Sequence, residues 1–272
     1  MGDWTPPEKR FSELPLRLLT AVILIPFALY SVWMGSWWLA AACAAFCAVM
    51  MLEWCHMSAT PNETVLAGLG VLFCLSLPLG DARITAALAT AALVLGVLSS
   101  RKEVHARISG GFGVVYVFAM VSCLYFLREG PWQGREAALY LMSFVWASDA
   151  AAYFLGRLLR GPRLLPKESP NKTWSGAIAA MIASALCGYY ASTLHGGAGP
   201  AWVVAGILVS IFAQLGDLFE SGLKRRFKVK DSGTILPGHG GLLDRVDGLG
   251  AVSVVFVLLF LSVPAAPRLL GL

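Results

Sequence analysis

Apolar residues run in long blocks along this chain, without the two-residue alternation of a half-buried strand. The blocks fall at 16–34, 37–52, 64–80, 83–98, 111–127, 137–157, 174–194, 201–220 and 248–265. A helix crossing a hydrocarbon layer ~30 Å thick needs about 20 such residues. The pattern predicts an all-α polytopic membrane protein with about nine transmembrane helices, the second and fourth short or tilted. No internal repeat is visible, which argues against a transporter built from matched halves.

Composition agrees. Hydrophobic residues make up 57% and charged residues 14%, against about 25% charged in soluble domains. That excludes an ordinary soluble enzyme and a disordered chain. The net charge of +5 is too small to suggest nucleic-acid binding. Cys43, Cys47, Cys55, Cys74, Cys123 and Cys187 are scattered with no CxxC pair, so they read as small buried hydrophobes. Asp3, two prolines and Glu8 make the N-terminus a poor secretory leader.

Charge placement orients the spans. With nine crossings and a cytoplasmic N-terminus, the only Lys and Arg left outside are Arg83, Arg128, Arg135 and Arg268, of 21 in total. This is the bias of the positive-inside rule, and it puts the C-terminus on the opposite side. The segment Glu53 to Glu63 falls inside yet carries no Lys or Arg. Residues 1–135 then read as a lipid-facing scaffold of five helices. Residues 136–272 read as a catalytic half with two polar cytoplasmic loops, 156–175 and 221–247.

Those loops carry the composition of phosphate chemistry. Lys224, Arg225 and Arg226 offer donors for phosphate oxygens, although a basic cluster also serves as plain membrane anchoring. Gly238, Gly240 and Gly241 let backbone N–H groups approach an anion, and His239 between them either bonds phosphate or holds the turn. Asp244 and Asp247 share a helix face and suit a hard cation such as Mg²⁺, or simply complement a helix dipole. Asn171 and Lys172 precede a helix that Thr173 or Ser169 caps, which makes an anion site. Asp149, Asp217 and Glu220 lie in apolar runs, where a carboxylate is costly and faces a partner or a polar cavity. The loop at 221–247 joins the helices bearing Asp217 and Asp244, so the simplest reading is a shared metal site near the cytoplasmic interface.

The run Ser221-x-x-Lys224-Arg225-x₄-Lys230-Asp231-x₅-Pro237-Gly-His-Gly-Gly241-x-x-Asp244-Arg245-x-Asp247 resembles the signature of the phosphatidate cytidylyltransferases, or CDP-diacylglycerol synthases. Trp146-x-x-Asp149-x-x-Ala-Tyr153-x-x-Gly-Arg157 and Ser169-Pro-x-Lys172-Thr-Trp174 are similar to that family too. One position departs: the family usually has Glu-Gly where this chain has Ser175-Gly176. The resemblance implies an enzyme of phospholipid biosynthesis that joins CTP and phosphatidic acid into CDP-diacylglycerol and pyrophosphate with Mg²⁺, and leaves room for a second, monovalent cation such as K⁺. It implies Asp217 and Asp244 as metal ligands, with Asp247 and Asp231 as further ligands or as partners of Lys and Arg. Lys224, Arg225, Lys172 and Arg245 would hold phosphates. Asn171, Lys230, His239, Gly240 and Gly241 would line the nucleotide or pyrophosphate site, and Asp149 the cavity wall. The expected location is the inner membrane of a bacterium with the site facing the cytoplasm; a homodimer is left open and nucleic acid is not a partner. Two rivals stand further off. A phospho-alcohol transferase has only the fragment Asp244-Arg-Val-Asp247-Gly248 in its favour, and an anion transporter would spread its acids over both halves.

Overall fold

The computed structural model describes residues 7–99, 104–166, 169–194, 199–235 and 240–272. In chain order the described residues form α1 (Pro7–Met34), α2 (Ser36–Ser58), α3 (Glu63–Ser76), α4 (Ala82–Leu98), α5 (Val104–Glu129) and α6 (Gly134–Leu159). An antiparallel hairpin of β1 (Arg163–Leu165) and β2 (Ser169–Thr173) follows. The chain continues with α7 (Trp174–Leu194), α8 (Gly199–Arg226), α9 (Leu243–Ser262) and a short α10 (Ala265–Leu269).

Each of the nine apolar blocks corresponds to a helix. Six helices, α2 and α5 to α9, are long and apolar enough to cross a membrane, and the apolar stretches of α1, α3 and α4 are shorter. Pro78 turns the end of the third block into a 3₁₀ turn at Leu77–Leu79, because proline lacks the N–H needed to continue an α-helix.

Helix α8 runs past the apolar block and takes Lys224, Arg225 and Arg226 into its last turn, where cations suit the negative end of the helix dipole. It stops with Lys228 in the left-handed region, at φ 61°. The N–H of Val229 donates to Lys224 O at 3.0 Å and that of Lys228 to Arg225 O at 3.1 Å. This is the paired bond pattern that commonly closes a helix. The hairpin in the 156–175 loop is an addition to the all-α expectation.

Lipid tails give helices no hydrophobic reason to associate, so close packing must hold them together. Helix α7 shows the result. Ile178, Ile182, Leu186, Tyr190 and Leu194 form an exposed apolar stripe, while Ala180, Ser184, Gly188 and Ala191 face inward. Gly188 lies against Trp202 O, and Gly206 of α8 against Ser184 O. Helices α8 and α9 meet in the same way: a Cβ on Gly216 would stand 2.5 Å from Ala251 Cβ, and Gly248 sits over Ala213.

Helix α9 ties two apolar clusters together. Its Leu243 packs with Met50, Trp54, Leu66 and Val117 of the N-terminal helices. Its Val252, Phe256 and Phe260 pack with Phe144, Trp202 and Val209.

Gly216→Leu should therefore drive α8 from α9 and cost about 1–3 kcal/mol or more. It should lower the melting temperature of the purified protein in detergent. Gly222→Ala, where the added methyl meets nothing within 4 Å, should be neutral or stabilising, as helix propensity favours Ala by about 1 kcal/mol.

Candidate active site

A cavity of about 590 Å³ opens where α6 and α8 end and where α7 and α9 begin. Asp149 of α6, Asp217 and Gln214 of α8, Asp244, Arg245 and Asp247 of α9, and Asn171, Lys172 and Thr173 of β2 line it. The spacing of Asp244 and Asp247 does put both on one wall. The cap expected for α7 is Thr173, whose Oγ1 accepts from the Gly176 N–H at 3.2 Å.

Small residues bring the walls together. Gly216 against Gly248 seats Asp217 beside the first turns of α9, and Gly156 of α6 approaches Gly176 of α7, where a Cβ would stand 3.2 Å from its Cα. Buried hydroxyls link α6, α7 and α8 beside the cavity. Ser148 and Ser210 share a 2.8 Å hydrogen bond, and the Gln214 amide donates to Ser210 Oγ at 3.0 Å and to Ala177 O at 3.5 Å. Ser175 donates to Arg160 O and lies 3.0 Å from Thr173 Oγ1. It fastens the hairpin to the end of α6 with a neutral group at the position where the resembled family carries an acid.

The charges are strongly paired. Lys172 Nζ lies 2.6 Å from Asp217 Oδ2, and Ser221 Oγ donates to Asp217 Oδ1 at 3.4 Å. Lys224 is buried behind the cavity wall, with Nζ 2.5 Å from Asp244 Oδ1 and 3.2 Å from Glu220 Oε1. Asp244 Oδ2 also accepts from the N–H groups of Ser232 at 3.0 Å and Gly241 at 2.9 Å. Asp247 Oδ1 accepts from its neighbour Gly248 N–H at 2.7 Å. Asp149 opens onto the cavity and makes no hydrogen bond or ion pair among the described residues.

The remaining expected residues lie elsewhere. Arg225 is exposed and donates to Val229 O at 3.4 Å. Lys230, Asp231, Gly240 and Gly241 are not in the cavity wall. Gly240 has φ 79° with Asp244 Oδ2 3.0 Å from where a Cβ would be, and Gly241 packs on Ser232 and Glu53. These two glycines shape the support of Asp244. His239, with Pro237 and Gly238, lies outside the described residues.

Sequence reasoning passed over Glu53. This residue of α2 is buried, and both of its oxygens accept bonds at the start of α9. Leu242 N–H donates to Oε1 and Leu243 N–H to Oε2, each at 2.8 Å, and Ser232 Oγ donates to Oε2 at 3.3 Å. The signal in the chain was a glutamate inside an apolar helix with no basic residue nearby in sequence.

Four carboxylates in one cavity form the all-oxygen donor set of a hard cation such as Mg²⁺. As placed, no three acidic, His or Cys groups among the described residues stand close enough to enclose one ion; Lys172 and Lys224 sit on Asp217 and Asp244 instead. The donor set fits in chemistry, since a carboxylate offers about four acceptor positions and a lysine is a mobile partner.

The cavity thus gathers four acids, a lysine and an arginine at one end of the helix bundle. Residues 15–263 match the cytidylyltransferase family, and the chain belongs to it; it is a nucleotidyltransferase embedded in a membrane. It is similar to proteins named phosphatidate cytidylyltransferase: in Brucella suis biovar 1, 37% identical over 257 residues, covering 91% of this chain and 93% of that one. For Brucella abortus biovar 1 the identity is 36% over 270 residues, covering 96% and 97%. For Staphylococcus aureus (strain COL) it is 41% over 140 residues, about half of each chain, at 51% and 52%.

Lys224→Met would leave Glu220 and Asp244 without their shared cation in a buried site. It should cost about 3–5 kcal/mol, read as a fall in melting temperature or in the yield of monodisperse protein. Lys228→Gln, outside this network, should melt like the parent. Equal melting for both would show that the buried pairing contributes little.

Proposed function

We propose that the chain is a phosphatidate cytidylyltransferase, forming CDP-diacylglycerol and pyrophosphate from CTP and phosphatidic acid on the cytoplasmic side of a bacterial inner membrane. The observation that carries this reading is the cavity itself, which sets Asp149, Asp217, Asp244 and Asp247 beside Lys172, Arg245 and Asn171 at one end of the bundle. A lipid phosphate and a soluble triphosphate are both anionic, and they can meet only where fixed cations offset their repulsion.

Asp217 and Asp244 would hold Mg²⁺, with Asp247 beside them and room for a monovalent ion at Asp149. When bound, Mg²⁺ supplies charge neutralisation on the phosphates. Lys172 and Arg245 bind the phosphate oxygens, and Lys172 turns to them from Asp217. Asn171 orients the nucleotide at the hairpin. Lys224 keeps Asp244 charged and aimed, and Arg225 attracts nucleotide from the loop surface. The lipid phosphate attacks the α-phosphorus in line and pyrophosphate leaves. The attacking phosphate is already ionised near neutral pH, so the protein needs no strong base and works by positioning and charge stabilisation.

Purified protein given labelled CTP, phosphatidic acid and Mg²⁺ should release labelled CDP-diacylglycerol. Asp217→Asn and Asp244→Asn keep shape and remove the charge that a hard cation needs. Each should lose at least about 100-fold in turnover, roughly 2.7 kcal/mol of transition-state stabilisation, while remaining folded. Near-normal turnover by Asp217→Asn at ordinary Mg²⁺ would remove the metal from this reading.

The basic residues support nine crossings with 224–245 in the cytoplasm and the C-terminus across the membrane. Lys228→Cys in a cysteine-free background should resist an impermeant thiol reagent in intact cells and react after lysis. Ready labelling of intact cells would reverse the orientation.

A further inference from the structure

We propose that Glu53 is a positioning residue for the reaction: from α2 it clamps the start of α9 and the Ser232 segment, and so sets where Asp244 and Asp247 stand. This rests on the reading of the aspartate cavity as the reaction site.

The first turn of a helix has N–H groups with no partner inside the helix, and a side chain of the same segment usually takes them. Here no side chain at the N-cap of α9 does so. The acceptor comes from 189 residues away in sequence, with one oxygen each for Leu242 N–H and Leu243 N–H. The contact is enclosed. Glu53 is 2% exposed, and a Cβ on Gly233 or Gly241 would stand 2.7 or 2.9 Å from its carboxylate oxygens. Its third donor, Ser232 Oγ, belongs to the residue whose N–H bonds Asp244. Glu53 and Asp244 thus hold the same two short segments, 232–233 and 241–243. Met50, Met51 and Trp54 around Glu53 are fully buried, so the clamp is anchored in the N-terminal cluster, which extends the role of residues 1–135 beyond that of a scaffold.

Glu53→Gln keeps the shape, and turns an NH₂ donor toward one of the two N–H groups. Misplacing a catalytic group by about 1 Å can cost on the order of 100-fold. In the labelled-CTP assay Glu53→Gln should lower kcat by at least about 30-fold and leave KM for CTP and phosphatidic acid near the parent values. Without substrate, hydrogen exchange of the amides at 241–244 should quicken at least about tenfold, while exchange near Phe256 stays unchanged. Ser232→Ala, which removes one bond from the clamp, should show a smaller loss of the same kind, and it decides the matter if Glu53→Gln does not fold. Parent-like kcat in the folded variant, or unchanged exchange at 241–244, would overturn the proposal. An inactive parent protein would overturn the reaction reading instead, and the exchange measurement would still judge the clamp.

Discussion

A carboxylate among apolar helices must find its donors inside the protein, because the bilayer offers none. That requirement organises one whole end of this molecule. Asp217 takes Lys172 from the hairpin, Asp244 takes Lys224 from α8 and two N–H groups from the loop, and Glu53 takes the exposed start of α9. All but the Gly241 bond, three residues from Asp244, join segments separated by 12 residues or more. The acids therefore help to hold the cavity walls together. Asp247 bonds only the N–H of its neighbour Gly248, and Asp149 faces the cavity with no hydrogen bond or ion pair among the described residues.

Small residues make this pairing geometrically feasible. Charged side chains reach across helices only where backbones are close, and Gly216, Gly248, Gly156 and Gly176 mark the close approaches around the cavity. The same residues give neighbouring helices the intimate contact that stands in for the hydrophobic drive of water-soluble cores.

Much of this was legible in the chain. Each apolar block marks a helix, and the acids at 149, 217 and 220 stand out because a charge in such a block needs a reason. The 3.6-residue period placed Asp244 and Asp247 on one face. Other features were hidden because they depend on tertiary partners. Lys224 reads as a phosphate-binding cation in a basic run, yet Glu220 lies one turn before it and Asp244 20 residues after, and it is buried against both. Glu53 has no local partner at all, and its role exists only once α9 is folded against α2. Gly240 and Gly241 look like an anion-binding turn, whereas their lack of side chains makes room for carboxylates of the same chain.

The outer surface of α7 carries a depth gauge. Trp174 opens the helix and Tyr190 stands near its far end, both more than half exposed. Aromatic rings of this kind settle at the two water-facing borders of a bilayer. The 16 steps from one to the other span roughly 24 Å at 1.5 Å per residue, close to the thickness of the oily layer less the borders themselves. Trp174 directly follows Lys172 and Thr173 in the cavity wall. The start of α7, beside the cavity, is thus where such a border would fall. In the proposed reaction a lipid phosphate would reach Lys172 without being lifted out of its leaflet, and a soluble nucleotide would reach it without entering the membrane.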